Sequence, residues 1–185
     1  AVVEPELAVV VVALDGLRSA RTLSKADRWF GRYTLPALIV LGIAALVIAG
    51  DQIISSISPN IGVYPTEPDA DPLGEWLDSC ARLSALARPD QLVLSGHKLP
   101  FTGLPTRMRQ LAENHHGALK RLEKHLATPR TAAQCFPPLF KRRIDGGTYG
   151  LALVEAVAHL NHLHQAGRIT RTLNDDGAWL WQAKD

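Results

Sequence analysis

No histidine occurs before His97 in this chain of 185 residues; all seven lie at or after it. A site built from several imidazoles therefore cannot draw on the N-terminal half. Cysteine is almost as scarce. Cys80 and Cys135 stand far apart, in neither CxxC nor Cys/His finger spacing, which excludes a thiolate finger and predicts ordinary buried thiols in a reducing, cytoplasmic setting. Neither sign of charge is in excess, and a net charge of +2 does not argue for nucleic acid by itself. The start lacks a signal-peptide pattern, because Glu4 and Glu6 stand where a basic leader would be. Long apolar runs are scarce too: the uncharged stretch 34–50 is interrupted by Pro36 and Gly42. A membrane span wants about 20 residues, so none is expected there.

What is present is enough apolar residue for one domain or two small ones. The most informative stretch is Leu46-Val-Ile-Ala-Gly-Asp-Gln-Ile-Ile54. Its branched run is long enough for a buried strand and short for a helix. Gly50 lets the backbone turn where the strand stops. Asp51 then lies at the lip of an apolar core, either capping the next turn or paired with a cation or metal. A second strand, Gln91-Leu-Val-Leu-Ser-Gly-His97, ends in Gly-His. Polar groups at the C-terminal ends of apolar strands are where α/β sheets collect ligands. Asp51 and His97 are therefore expected to converge.

Other elements follow from pattern. A Val-rich strand is predicted at 8–13, and a surface loop at 55–71 from Pro59, Asn60, Gly62, Pro65 and Pro68. A helix capped by Asp71 should carry the stripe Leu73, Trp76, Leu77, Cys80, Leu83 and Leu86. A long helix over 105–127 should bury Met108, Leu111, His115, Leu119, Leu122 and Leu126. A short helix opens at Thr131 and ends at Pro137-Pro138; a third runs from Tyr149 to Gln165, capped by Thr148 and stopped by Gly167. Residues 168–181 read as a β-hairpin turning at Asn174–Gly177. The tail 129–185 is thus predicted to be a small winged helix with Phe136, Leu139, Phe140, Leu151, Val154, Val157, Leu160 and Ile169 in its core.

Three stretches, Val47-Ile-Ala-Gly-Asp-Gln, Ser58-Pro-Asn-Ile-Gly-Val-Tyr-Pro and Leu92-Val-Leu-Ser-Gly-His-Lys-Leu-Pro-Phe, resemble the second half of metallo-β-lactamase-fold hydrolases. Pro129-Arg-Thr-Ala-Ala-Gln and Gly150-Leu-Ala-Leu-Val-Glu-Ala-Val-Ala-His-Leu resemble the winged-helix extension of lactamase-β-2-like members. The resemblance implies an α/β (α+β) class: the C-terminal half of an αββα metallo-β-lactamase fold over 45–128, then a winged-helix domain over 129–185, with 1–44 atypical. It implies a two-metal zinc site in which Asp51 bridges the metals and His97 binds one of them. Ser95, Lys98 and Asn60 are candidates for its surroundings. It further implies hydrolysis of a thioester, lactone, ester or phosphodiester, with a small-molecule ester or thioester as the expected substrate.

The family's opening His-x-His-x-Asp-His motif is missing. In residues 1–44 only Glu4, Glu6, Asp15 and Asp27 could contribute ligands, and carboxylates alone favour harder ions than zinc. Two chain ligands are too few for a tight zinc site, so truncation, weak zinc and little turnover by this chain alone are expected. The alternative is a non-catalytic remnant whose winged helix binds a partner or nucleic acid through Arg168, Arg171, Lys141, Arg142 and Arg143. Against it, the third helix offers Glu155 to a phosphate, and the tail is expected instead to line a substrate channel. His159 and His162 have helical spacing that could hold a metal, but polar contacts of the helix face are the expected role. His115 is expected in the core, and Trp179 and Trp181 on one packed face of the wing.

Overall fold

The computed structural model describes residues 46–184. The expectations for residues 1–44 lie outside the described residues. The described chain divides into two compact units, 46–59 with 86–108 and 60–85 with 109–184.

The first unit is organised by two parallel strands, β1 (Leu46–Gly50) and β2 (Leu92–Ser95). Leu46 faces Leu92, Val47 faces Val93 and Ile48 faces Leu94; the register then slips so that Gly50 meets Ser95. The slip falls at Gly50, whose φ of +49° is a left-handed conformation that a Cβ would penalise. The strand ends there, and the Gln52 N–H turns back to the Ala49 carbonyl at 3.0 Å. Val93 is fully buried and exchanges two backbone hydrogen bonds with Phe101. Ile53 and Ile54 have left the strand but remain in the core.

The second unit holds α1 (Pro72–Ser84), the larger part of α2 (Leu104–His125), a 3-10 turn (Ala133–Cys135), α3 (Phe136–Leu139) and α4 (Tyr149–Gln165). An antiparallel hairpin of β3 (Ile169–Leu173) and β4 (Trp179–Ala183) closes it. Asp71 caps α1 by accepting from the Gly74 N–H at 2.9 Å. Leu73, Trp76 and Cys80 are buried as expected, but Leu86 is exposed because the helix stops at Ser84. Pro89 disfavours helical backbone at Arg88, and the chain turns before it gets there. All six residues of the predicted α2 stripe are buried.

Three details of the tail correct the sequence reading. Pro137 and Pro138 lie inside α3, where the missing N–H groups of a first turn have no helical partner to lose. Thr148 occupies the N-cap position of α4 without capping it; its hydroxyl and N–H both donate to Asp145 Oδ1. Leu151 is exposed, and the buried face of α4 is Ala152, Ala156, His159, Leu160 and Leu163. The helix is apolar on most sides, so spacing alone did not fix its inward face. Its end does follow expectation: Gly167 (φ +71°) donates to His164 O and Arg168 to Leu163 O, a complete Schellman motif. The hairpin turns with Gly177 at φ +76° and the Asn174 carboxamide oxygen accepting from the Ala178 N–H. Both cysteines are buried. Among the described residues no helix is long and apolar enough to cross a membrane.

Candidate functional site

β1 and β2 end side by side and deliver Asp51 and His97 to the same place. His97 Nδ1 lies 2.7 Å from Asp51 Oδ1. A carboxylate can only accept, so Nδ1 carries the proton and donates. In the neutral ring this places the lone pair on Nε2, the tautomer that leaves a nitrogen for a metal or a transferable proton. Both side chains are exposed. Between them the chain needs glycine: a Cβ on Gly96 would sit 2.5 Å from Asp51 Oδ1. The Gly96 N–H also donates to the Gly50 carbonyl at 2.7 Å, tying the two strand ends together.

The three candidates for the surroundings have distinct fates. The Ser95 hydroxyl donates to the Ile53 carbonyl at 2.8 Å and so braces the loop that carries Asp51. Lys98 is exposed and adopts a left-handed φ of 71°, unusual for a residue with a side chain. Asn60 belongs to the second unit, where its amide donates to Leu151 O at 3.2 Å and to Glu155 Oε2 at 3.1 Å. Burial pushes the Glu155 carboxyl up to about 7, against the opposing pull of Asn60 and Arg142.

A second cluster escaped sequence reading. His115 and His159 are buried, with His115 Nδ1 3.1 Å from His159 Nε2, and Trp76 meets the His115 ring edge-on. His159 Nδ1 donates to the Glu155 carbonyl at 2.8 Å, so His115 must supply the proton between the rings. Burial pulls both imidazoles down to about 4. The i,i+3 spacing of His159 and His162 therefore does not make a shared metal position: His159 turns to His115, while His162 Nδ1 lies 3.0 Å from Asp71 Oδ2. Among the described residues no group of three or more His, Cys, Asp or Glu side chains is placed to hold a metal. Asp51 and His97 are donors of the right types for zinc but fewer than a closed site uses.

The arginines of the hairpin are engaged. Arg168 forms an ion pair with Glu123, and Arg171 reaches Asp69 at 2.8 Å while lying over the Trp179 and Trp181 rings. Trp181 is buried and Trp179 exposed, with Arg171 bridging the indole face they share.

Known proteins share this arrangement of elements. Residues 119–184 match the family model for the metallo-beta-lactamase-like C-terminal domain. A crystal structure of a beta-lactamase domain protein from Burkholderia ambifaria is 38% identical with a TM-score of 0.71, covering 76% of this chain and 42% of that one. A metallo-beta-lactamase family protein from Thermus thermophilus is 27% identical with a TM-score of 0.63, covering 75% and 42%. The chain thus spans under half the length of either relative. No curated protein matches it.

Proposed function

We propose that this chain, a metallo-β-lactamase-fold protein, contributes Asp51 and His97 to the metal site of a hydrolase acting on an ester, thioester, lactone or phosphodiester. One observation carries the reading: two parallel strands end in a carboxylate and an imidazole 2.7 Å apart, at the sheet edge where such folds place their chemistry. Zinc, when bound, would lower the pKa of a water and polarise the scissile carbonyl or phosphoryl oxygen. The chain's own residues do the rest. Asp51 fixes the His97 tautomer, Gly96 leaves room for the carboxylate, and Ser95 braces the loop behind it.

We read residues 129–184 as a winged helix that lines a substrate channel. The Arg168 and Arg171 guanidinium groups are spent on carboxylates and indole faces, which favours this over phosphate binding. Two chain ligands make for weak metal binding. Calorimetry of the full chain with zinc is expected to show binding short of one tightly held ion, removed by Asp51→Ala or His97→Ala, and little turnover. Zinc binding indifferent to both substitutions would rule the assignment out.

A further inference from the structure

We propose that Arg107 is a positioning residue for Asp51, acting through the loop 52–57; the inference rests on the metal-site reading above. Asp51 is followed by a stretch with no regular element, yet its carboxylate must be held at a fixed point beside His97. Two ties described above act close to it, at Gly50 and Ile53. Farther along, Arg107 holds both ends of the outer turn. Its Nε donates to the Ile54 carbonyl at 2.7 Å and its Nη2 to the Ile57 carbonyl at 2.9 Å.

Helix physics makes this placement informative. Arg107 is the fourth residue of α2, where the exposed N–H groups already carry partial positive charge and a cation is disfavoured. The first turn of α2 has no acidic residue to offset it. Arg107 is also partly desolvated, which lowers its pKa. A residue of ordinary surface chemistry would not be placed against both effects. The rigid planar fork of a guanidinium can bridge two carbonyls in one plane, whereas an ammonium is a single point with flexible reach. The arrangement also anchors the loop to Ile53 and Ile54, whose side chains fill the core. Arg107 thereby links the buried part of the unit to the loop that leaves Asp51, without touching Asp51 or a metal itself.

The test uses the full chain and three variants, Arg107→Gln, Arg107→Lys and Asp51→Asn. Zinc affinity is measured by calorimetry, and the 52–58 loop is probed by limited subtilisin cleavage in metal-free buffer. Arg107→Gln is expected to weaken zinc about tenfold or more, the usual effect of removing a group that orients a ligand, and to accelerate cleavage between 52 and 58. Arg107→Lys should recover part of both effects. Asp51→Asn should lose zinc with the cleavage rate unchanged. If Arg107→Gln fails to fold, Arg107→Lys decides: unchanged zinc affinity and unchanged cleavage overturn the proposal. Faster cleavage with unaltered zinc affinity also overturns it, because the loop would then be held for reasons unrelated to Asp51. Should the wild-type chain bind no zinc, the metal-site reading fails, and the cleavage comparison alone decides whether Arg107 clamps the loop.

Discussion

Gly96 shows how a single hydrogen atom can decide a site. A methyl group there meets Asp51 Oδ1, the atom that accepts from His97, at 2.5 Å, while the nearest backbone atom is at 3.4 Å. Gly96→Ala should therefore unfold close to the wild-type temperature but swing Asp51 away from His97, and zinc calorimetry should show the loss. Glu155 gives a prediction of opposite kind. Its carboxyl ionises near 4.5 when unfolded and near 7 when folded, so the unfolded chain loses its proton first and stability falls as pH rises from 4.5 to 7. Glu155→Gln, which mimics the protonated acid, should match the wild type at pH 4.5 and melt higher at pH 8. The His115–His159 pair works the other way. Unfolded imidazoles take up protons below 6.5 while the folded pair resists until about 4, so stability is lost as pH falls through that window. Thermal melts of His115→Phe between pH 7.5 and 4.5 should show a shallower acid loss than the wild type. At this scale the convergence of Asp51 and His97 was legible, because each follows a glycine at the end of an apolar run. The His115–His159 contact was not, since it joins positions 44 apart in sequence and no local pattern encodes it. Arg107 left a faint local signal, a cation in a helix's first turn, whose meaning needed the carbonyls it reaches.

The elements were read best where a cap or a stripe was unambiguous. Asp71-Pro72 starts α1, and the α2 stripe is buried at every predicted position. Asp71 also carries more than its cap, because His162 Nδ1 lies within 3.2 Å of both its oxygens. Asn161 and Gln165 from the same stretch of α4 donate to the Pro68, Ala70 and Asp69 carbonyls. Asp71→Ala should cost about 1–2 kcal/mol for the cap and the pairing together. Asp71→Asn, which can still cap, should cost less; urea unfolding of the two variants checks the order. Where the sequence reading failed, two chemistries competed for one residue. Thr148 had the type of an N-cap but found Asp145 closer, and α4 had several apolar faces among which only packing chooses.

At the scale of the whole chain, the parallel pair β1–β2 and the helix–helix–hairpin order of residues 133–183 followed from periodicity and turn chemistry. The grouping of 60–85 with 109–184 did not, because it depends on contacts between distant segments such as Asn161 with Pro68. The likeness to the two solved structures covers most of this chain but under half of either of them, so what can be tested on this chain is the proposal that Asp51 and His97 serve a metal. Histidine-ring nitrogen NMR during a zinc titration tests that claim most directly. The His97 Nε2 resonance is expected to move with zinc while the His115 and His159 rings stay in place, and Asp51→Ala is expected to remove the effect. Zinc that moves another histidine, or leaves His97 unmoved at saturation, would contradict it.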